Sequence, residues 1–373
     1  MPSLFLTSAG KGKRIVLWTL AGFALSQLAL SIYLDQRRLE TRDPRYGHRL
    51  HSLQARLAES PNSPLFLILG SSRVKYSVCP SAMSIHAADG TPAPIVYNFA
   101  MNGMGTIREL MYFHRLMADG IRPKWLLIEV WPPLWAETGF FRESRMVQGE
   151  DDLHWRDLPL LYRYFRNDRD LLHLAVRKCL LPIRPYRDIL LSLSAQSLLS
   201  AANLDEMQRR VEDSLPADRN GWFPLPWETI TPEAKQRGLL DGIEKIKPLL
   251  EDLHPDPRSD RALRELLEGC RRHGIRTALI LMPEPSFTRG WYSPRTRTLV
   301  REYLTHIREQ EQVPIIDARA WQSDDEFADA SHMARVGVPA FSARLAREVV
   351  QPLIEDRALD TNILFAAGRA DGP

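Results

Sequence analysis

Two polar segments far apart in the sequence carry residue types that can do covalent chemistry. Gly70-Ser71-Ser72 follows a short apolar run, and Asp329 and His332 lie together near the other end of the chain. Serine is a poor nucleophile without a neighbouring base, and histidine supplies that base when a carboxylate orients it. The Asp-x-x-His spacing lets one short loop hold both groups. These residues predict a Ser72–His332–Asp329 triad for acyl-ester chemistry.

Each segment also has an ordinary structural interpretation when it is taken alone. A Gly-Ser-Ser turn is typical of a helix cap or an anion-binding loop. An aspartate three residues before a histidine can be a helix N-cap beside a surface histidine. The combination favours the triad, because both segments follow apolar runs that predict strands, one near each end of the folded region.

The elements that would position these residues are five short apolar runs separated by helical patterns. Such runs are typical of parallel strands buried on both faces. The runs cover residues 65–69, 95–99, 125–130, 276–282 and 313–316, and the helical patterns cover 106–119, 260–273, 294–311 and 336–356. This alternation predicts an α/β fold with a parallel five-stranded sheet between helices. Right-handed crossovers place every strand's carboxyl end at one edge, where ligands bind.

A third loop is predicted to reach the same edge. Asn98 to Gly103 follows the second apolar run. Glycine lets its backbone N–H approach a reacting oxygen closely, so Gly103 is the predicted oxyanion donor and Gly105 the second choice. Asn102 could add a side-chain donor, and the Ser72 N–H at the start of its helix could add another. Ordinary turn usage is the alternative explanation for all of them.

The order of these segments resembles the SGNH/GDSL hydrolase superfamily. Gly70-Ser71-Ser72 is similar to its first block, with Ser71 in place of the usual Asp, which makes Ser72 the implied nucleophile. Asn98 to Gly103 is similar to the second block, and Asp329 to His332 to the fifth. The resemblance implies a three-layer α/β/α, flavodoxin-like domain over residues 64–356. It also implies serine-dependent catalysis with no cofactor and no metal.

The place of the family's third block differs from the family pattern. That block supplies an Asn to the oxyanion, whereas this sequence reads Glu129-Val130-Trp131-Pro132-Pro133 there. Arg73, Glu129 and Trp131 are predicted to contact substrate. The missing Asn also motivates an alternative function, in which the chain is a catalytically inactive, membrane-tethered glycan-binding or assembly protein on the same fold.

The N-terminal segment predicts a membrane anchor. An uncharged apolar run covers residues 15–34, preceded by Lys11, Lys13 and Arg14. A membrane-spanning helix needs about 20 apolar residues, and basic residues before it favour a cytoplasmic N-terminus. Residues 1–14 would then be cytoplasmic, 35–63 a juxtamembrane linker, and the remainder periplasmic or extracellular. A cleaved signal peptide and a buried core helix are the alternatives.

The chain between the third and fourth strands is a long insertion. It covers about residues 134–255, with helical patterns at 157–182 and 186–213, and could be a lid, a substrate platform or a structural subdomain. Several aromatic residues could stack on sugars or pack the core: Trp131, Trp135, Trp155, Trp222, Trp227 and Trp291. A loosely ordered tail is predicted over residues 357–373.

Composition narrows the function classes further. The net charge is only +3, and the basic residues form no block, which argues against nucleic-acid binding. Cys79, Cys179 and Cys270 lack metal-ligand spacing, and at most one disulfide could form among them. The anchor, the Gly-Ser-Ser turn and the late Asp-x-x-His resemble the superfamily's envelope acyl-transfer branch, which includes alginate O-acetylation and D-alanyl transfer proteins. The implied partners are an acylated glycan or acyl donor and an acyl-exporting membrane protein.

Overall fold

Five parallel strands form the sheet of this protein, in the order β2-β1-β3-β4-β5. In a computed structural model, residues 6–87, 92–136, 153–183, 191, 215–225 and 231–359 are described. The strands are β1 (Leu65–Leu69), β2 (Ile95–Asn98), β3 (Trp125–Glu129), β4 (Arg276–Leu281) and β5 (Ile315–Asp317). The predicted parallel five-stranded sheet is confirmed. The fifth strand begins at Ile315 and not at Val313, since Pro314 has no N–H for a strand ladder.

The first and third strands lie where the strand order of the sheet reverses. The chain passes from β1 to β2 on one side and then returns to place β3 on the other side of β1. The order therefore reverses between β1 and β3. In open α/β sheets the crevice outside the strand ends at such a reversal is the usual ligand site. Ser72 lies just beyond β1, and Glu129 is the last residue of β3.

The helices predicted between and after the strands lie close to their predicted bounds. The α-helices are α1 (Leu6–Arg37), α2 (Leu39–Arg42), α3 (Pro44–Ala58), α4 (Ser72–Ser77), α5 (Thr106–Ala118), α6 (Leu158–Phe165), α7 (Arg169–Leu180), α8 (Pro232–Lys245), α9 (Lys247–Glu251), α10 (Pro257–Arg272), α11 (Ser286–Gly290), α12 (Pro294–Glu311), α13 (Val338–Leu345) and α14 (Gln351–Ile354). A π-helical turn over Ala346–Val350 joins the last two. Short 3-10 turns include Pro132–Trp135 after β3 and Asp324–Glu326 after β5.

Alternating strand residues build the largest core described. Phe66 and Ile68 of β1 and Leu127 of β3 share one cluster with Phe341 and Leu345 of α13. Successive side chains of a strand point to opposite faces, so the residues between them face the other way. α5 and α10 pack against each other, and α10 also contacts β4. The strands read as continuous apolar runs because all residues of β1, β2 and β3 are buried.

The chain divides into two compact units. A helical unit comprises Met1–His48 and Val147–Leu215, and a sheet unit comprises Arg49–Met146 and Pro216–Pro373. Within the helical unit, Trp155 of the insertion donates from Nε1 to Ser31 Oγ of α1 at 2.8 Å. The insertion therefore contributes to both units: its residues 147–215 belong to the helical unit, and its remaining residues, including α8 and α9, belong to the sheet unit. The predicted 186–213 helix lies outside the described residues except Leu191.

The N-terminal helix is long and apolar enough to cross a membrane. The segment Gly12–Arg37 has 26 residues, its most apolar window has a mean hydropathy of 1.8, and 11% of that window is buried. A core helix would be mostly buried, so the low buried fraction argues against that alternative. Length and composition alone do not separate an anchor from a signal sequence, and both interpretations stay open. Of the predicted tail, Arg357 to Leu359 are described, without regular secondary structure.

Candidate active site

Ser72, His332 and Asp329 form one continuous chain of short contacts. Ser72 Oγ lies 2.8 Å from His332 Nε2, and His332 Nδ1 lies 2.8 Å from Asp329 Oδ2. Ser72 is the first residue of α4 after β1, whereas the other two residues lie in the loop after β5. A carboxylate that accepts a hydrogen bond from Nδ1–H fixes the tautomer in which Nε2 is free to accept the serine proton. Residues 260 positions apart in sequence therefore meet with the spacing of a nucleophile, a base and an orienting acid.

The loop that carries the acid and the base is closed by its own hydrogen bonds. Asp329 Oδ1 accepts from the backbone N–H groups of Ser331 and His332, both at 2.7 Å. The Ala328 N–H donates to the His332 carbonyl at 2.8 Å. Asp329 thus uses one oxygen for the backbone and the other for the imidazole. These contacts show how the Asp-x-x-His spacing lets one short loop hold both the carboxylate and the imidazole.

The pKa of Asp329 is lowered from its ordinary value. Burial opposes this shift, because desolvation disfavours the charged carboxylate. Electrostatic attraction to His332 and the hydrogen bond from it favour the carboxylate, as do the N–H groups of Ser331 and His332, and together they outweigh burial. The lowered pKa keeps Asp329 charged near neutral pH, as an orienting acid must be.

The two serines of the turn have different tasks. Ser71 is 1% exposed, and its Oγ accepts from the Arg73 N–H at 3.2 Å as the N-cap of α4. Ser72 is partly exposed and faces His332. The choice of Ser72 over Ser71 as the candidate nucleophile agrees with this geometry. The residue before them is Gly70, and no side chain fits there, because an added Cβ would lie 2.5 Å from Val74 Cγ2 and 2.8 Å from Glu129 Cβ.

Arg73 and Glu129 lie in the interior beneath this turn. The Arg73 side chain is 2% exposed, and its Nη2 donates to the carbonyls of Met282 and Pro283 at 2.9 and 2.8 Å. Glu129, 1% exposed, accepts the Ser71 N–H at 2.6 Å and lies 3.5 Å from Arg73. Glu284 lies 3.6 Å from the same guanidinium. Both predicted substrate contacts are thus buried, and a substrate role for them stays a prediction.

Trp131 lies beside the same arginine. The Arg73 guanidinium carbon sits 4.7 Å from the centre of its ring, a cation–π distance. Trp131 is 4% exposed and belongs to a cluster with Leu134, Tyr292 and Ala330. Trp135 is also 4% exposed. These two tryptophans therefore pack the interior, whereas Trp155, Trp222 and Trp291 keep some exposed surface and Trp227 lies outside the described residues.

Asn98 holds the end of the nucleophile helix, a role that sequence reasoning missed. Its Nδ2 donates to the carbonyls of Val74 and Val78 at 3.0 and 2.8 Å, and its Oδ1 accepts from Ala100 N–H at 3.0 Å. The side chain is fully buried. An asparagine at the end of an otherwise apolar strand was the available signal, because a buried amide requires polar partners.

The loop of Asn102 and Gly103 is held by Arg108 of α5. Arg108 Nη1 donates to the Asn102 carbonyl at 3.1 Å and to the Gly103 carbonyl at 3.2 Å. Gly103 has φ +62°, which favours glycine. In a trans peptide the N–H points opposite the carbonyl, so the Gly103 N–H points away from Arg108. Gly105 is the residue before α5. Their oxyanion roles stay predictions.

One helix of the insertion packs on the acid-base loop, a contact the sequence did not reveal. Gly238 and Gly242 lie one turn apart on α8, facing Asp329 and Ala330 respectively. An added Cβ at Gly238 would lie 2.5 Å from Asp329 Cβ, and one at Gly242 would collide with Ala330 Cβ. Thr288 Oγ1 also donates to the Ala330 carbonyl at 2.8 Å. Helix and loop can approach this closely only because both positions are glycine.

In the part of the chain that the structure describes, the other chemistry-bearing side chains form neither a metal site nor a disulfide. Among the described residues, no group of three or more His, Cys, Asp or Glu side chains could hold a metal ion. Cys79, Cys179 and Cys270 are buried free thiols, so none of them forms a disulfide here. Burial raises the pKa of Cys179 and of Cys270 to about 11, which leaves them protonated near neutral pH. Comparisons of the sequence with known protein families and with curated proteins gave no match.

Proposed function

We propose that this protein is a serine-dependent acyl-ester hydrolase or O-acyltransferase. The observation that carries the proposal is the linked pair of 2.8 Å contacts from Ser72 Oγ to His332 Nε2 and from His332 Nδ1 to Asp329 Oδ2. Ser72 is also partly exposed at the carboxyl edge of the sheet, where a substrate can reach it. Helix capping alone would not require a histidine and a carboxylate in line with that serine.

The proposed reaction has two halves. Ser72 Oγ bonds to the acyl carbon while His332 Nε2 takes the hydroxyl proton, and the carbonyl electron pair moves onto oxygen. That oxyanion would be bound by the N–H groups of Ser72 and Gly103. Collapse of the intermediate breaks the ester bond, and His332 gives its proton to the leaving alcohol. Water or a sugar hydroxyl then repeats the sequence on the acyl-enzyme and restores Ser72.

A place in the SGNH/GDSL superfamily, with its three-layer arrangement, is part of this proposal. It is supported by the serine after β1, the Asn98–Gly103 loop after β2 and the Asp-x-x-His after β5. The expected asparagine is missing at the end of β3, where Glu129 lies buried beneath the turn and accepts the Ser71 N–H. Its side chain faces the turn from below and does not replace the missing donor, so the proposal relies on the two backbone donors.

We also propose that the enzyme is anchored in a membrane and acts outside the cytoplasm. The support is the apolar segment Gly12–Arg37 and the basic residues near its start. An exported, anchored acyl-transfer enzyme would meet the acylated glycans of a cell envelope, and an acyl-exporting membrane protein could supply its donor. A catalytically silent glycan-binding or assembly protein is the second candidate, favoured by the carboxylate at the third-block position.

Labelling with a fluorophosphonate probe tests the enzymatic proposal. The full-length protein in detergent is expected to react once per chain, and Ser72→Ala is expected to abolish labelling. Ser71→Ala is the matched control, because that serine is one residue away but caps the helix and does not face His332. Equal labelling of wild type and Ser72→Ala would contradict the assignment of Ser72 as the nucleophile, and no labelling of either would support the silent candidate.

Mass spectrometry extends the test to the natural substrate. Incubation with an acyl-ester donor and rapid acid quenching should leave a mass increase on the peptide that contains Ser72. The size of that increase identifies the acyl group, and a sugar acceptor added before quenching should shorten its lifetime if transfer is the activity. An acyl group found on another residue would contradict the assignment of the nucleophile.

A further inference from the structure

The turn that presents Ser72 is bonded to a side chain from the end of β3. The Ser71 N–H donates to Glu129 Oε2 at 2.6 Å, and Glu129 is 1% exposed. The next peptide leads directly to Ser72, and the Ser71 carbonyl accepts from Lys75 N–H at 3.0 Å within α4. A displacement of the Ser71 backbone would therefore move Ser72 and the start of its helix together.

A second contact connects Glu129 to the residue on the other side of the nucleophile. Its carboxylate lies 3.5 Å from the Arg73 guanidinium. Arg73 in turn donates to the carbonyls of Met282 and Pro283 after β4. One carboxylate thus binds the residues immediately before and after Ser72, and through Arg73 it is linked to a third strand.

The close approach of Glu129 depends on Gly70. Any Cβ at that position would lie 2.8 Å from Glu129 Cβ, so a side chain there would push the carboxylate away from the turn. A charged-group hydrogen bond is stronger than a neutral one, and breaking one partner of a buried set leaves the others unsatisfied. The position of Glu129 therefore depends both on the space left by Gly70 and on the bonds to Ser71 and Arg73.

Glu284 provides an internal comparison. It is also 1% exposed and lies 3.6 Å from Arg73, and it accepts a hydrogen bond from Tyr292 at 3.0 Å. The two glutamates therefore share burial and the same arginine. Only Glu129 also receives the Ser71 N–H. If the pair merely neutralised Arg73, the two would be equivalent in their effect on Ser72.

We propose that Glu129 is the positioning residue for the nucleophile of this enzyme, holding Ser72 at its distance from His332 through the Ser71 N–H and Arg73. The inference rests on the proposed function, since a nucleophile is what is being positioned. The residue at the end of β3, where the family has an oxyanion-binding Asn, would here hold the position of Ser72 instead. Because Glu129 acts through Ser71 and Arg73, it is a positioning residue and not a catalytic one.

The test compares Glu129→Gln and Glu129→Leu with Glu284→Gln and Glu284→Leu in the full-length protein. Labelling by a fluorophosphonate is measured against probe concentration, which separates the maximal rate from the probe affinity. We expect Glu129→Leu to lower the maximal rate by about a hundredfold with little change in affinity, because a displacement of about 1 Å costs that much. Glu129→Gln keeps an acceptor for Ser71 and should recover part of that loss.

The Glu284 variants should label within about threefold of wild type even where their thermal unfolding midpoints fall as far as those of the Glu129 variants. Equal losses at the two positions would overturn the proposal, because a shared structural role would then explain both. Hydrogen exchange of the Ser71 amide gives a readout that needs no activity: faster exchange is expected in Glu129→Leu only. A Ser71 amide equally protected in all variants would also overturn it, whereas an unreactive wild type with this exchange pattern would refute only the enzymatic function.

Discussion

The nucleophile turn and the acid-base loop of the candidate site are held by different kinds of contact. The turn is bonded to other strands through Glu129, Arg73 and Asn98, all of them buried. The loop is closed by Asp329 binding its own backbone, and it rests on the glycine face of α8. The position of the nucleophile is therefore set by contacts to neighbouring strands, whereas the position of the base is set by the loop's own hydrogen bonds, by the packing of α8 and by Thr288.

The largest expected effect comes from removing the base itself. His332→Ala should lower the rate of acyl-enzyme formation by about 10⁴-fold or more, and Asp329→Asn by up to about 10⁴-fold, because a misoriented imidazole is a poor base. Single-turnover kinetics with an activated ester measures both. A loss in Asp329→Asn of less than about threefold would mean that the loop needs no charge to orient His332.

The glycine face of α8 should be the most sensitive point of the loop outside the triad. Gly238→Ala places a Cβ 2.5 Å from Asp329 Cβ, so either the helix or the loop must move. We expect a loss of about 1–3 kcal/mol in stability and at least about a tenfold lower labelling rate. Gly290→Ala is the control, since a Cβ there meets nothing within 4 Å. Equal stability and equal labelling rates in the two variants would show that the packing of α8 does not position the acid-base loop.

For the nucleophile turn, Asn98→Ala should mainly lower the free energy of unfolding, because the hydrogen bonds of Asn98 hold the end of α4 and not the acid-base loop. The substitution leaves the carbonyls of Val74 and Val78 without their Nδ2 donor in a fully buried place. The Val74 carbonyl keeps the Val78 N–H, whereas the Val78 carbonyl and the Ala100 N–H each lose their Asn98 partner. At about 1–3 kcal/mol for each buried unsatisfied group, a loss of about 2–6 kcal/mol is expected. Urea unfolding measures it, and an unchanged midpoint would show that α4 does not need this anchor.

The smallest expected effect concerns pH and tests the loop alone. The folded-state pKa of Asp329 lies below its ordinary value, so the unfolded chain binds its proton first as the pH falls. The stability that Asp329 contributes is present above about pH 4, near the pKa of an unfolded-chain aspartate, and is lost as the pH falls through the folded pKa. Unfolding free energies between pH 2 and 6 should fall more steeply for wild type than for Asp329→Asn.

The sheet and the triad were predictable because both depend on local pattern and on one topological rule. Each apolar run became a strand, and loops after parallel strands meet at one edge. The Asp-x-x-His spacing and the serine after β1 were then enough to predict that Ser72, His332 and Asp329 lie in contact, whereas their catalytic roles stay predictions. Strand ends differed by a residue or two, for example at Pro314.

The contacts that support the triad were not predictable, since each joins residues that only the folded chain brings together. Arg73 and Glu129 were expected to face substrate, because polar residues at a sheet edge usually line the crevice. Their burial depends on how β1, β3 and β4 align, which no local pattern encodes. The glycine face of α8 was invisible for the same reason: a helix of the insertion gives no sign in sequence of which loop it covers.

The double use of Asp329 has a consequence for how the site can move. Its Oδ1 binds the backbone N–H groups of Ser331 and His332, while its Oδ2 binds the imidazole of that same His332. Acid and base are therefore held as one unit, and the hydrogen bond between His332 Nε2 and Ser72 Oγ connects that unit to the nucleophile. Loss of this hydrogen bond would leave Ser72 without its base, while Asp329 would still hold the imidazole in its orientation.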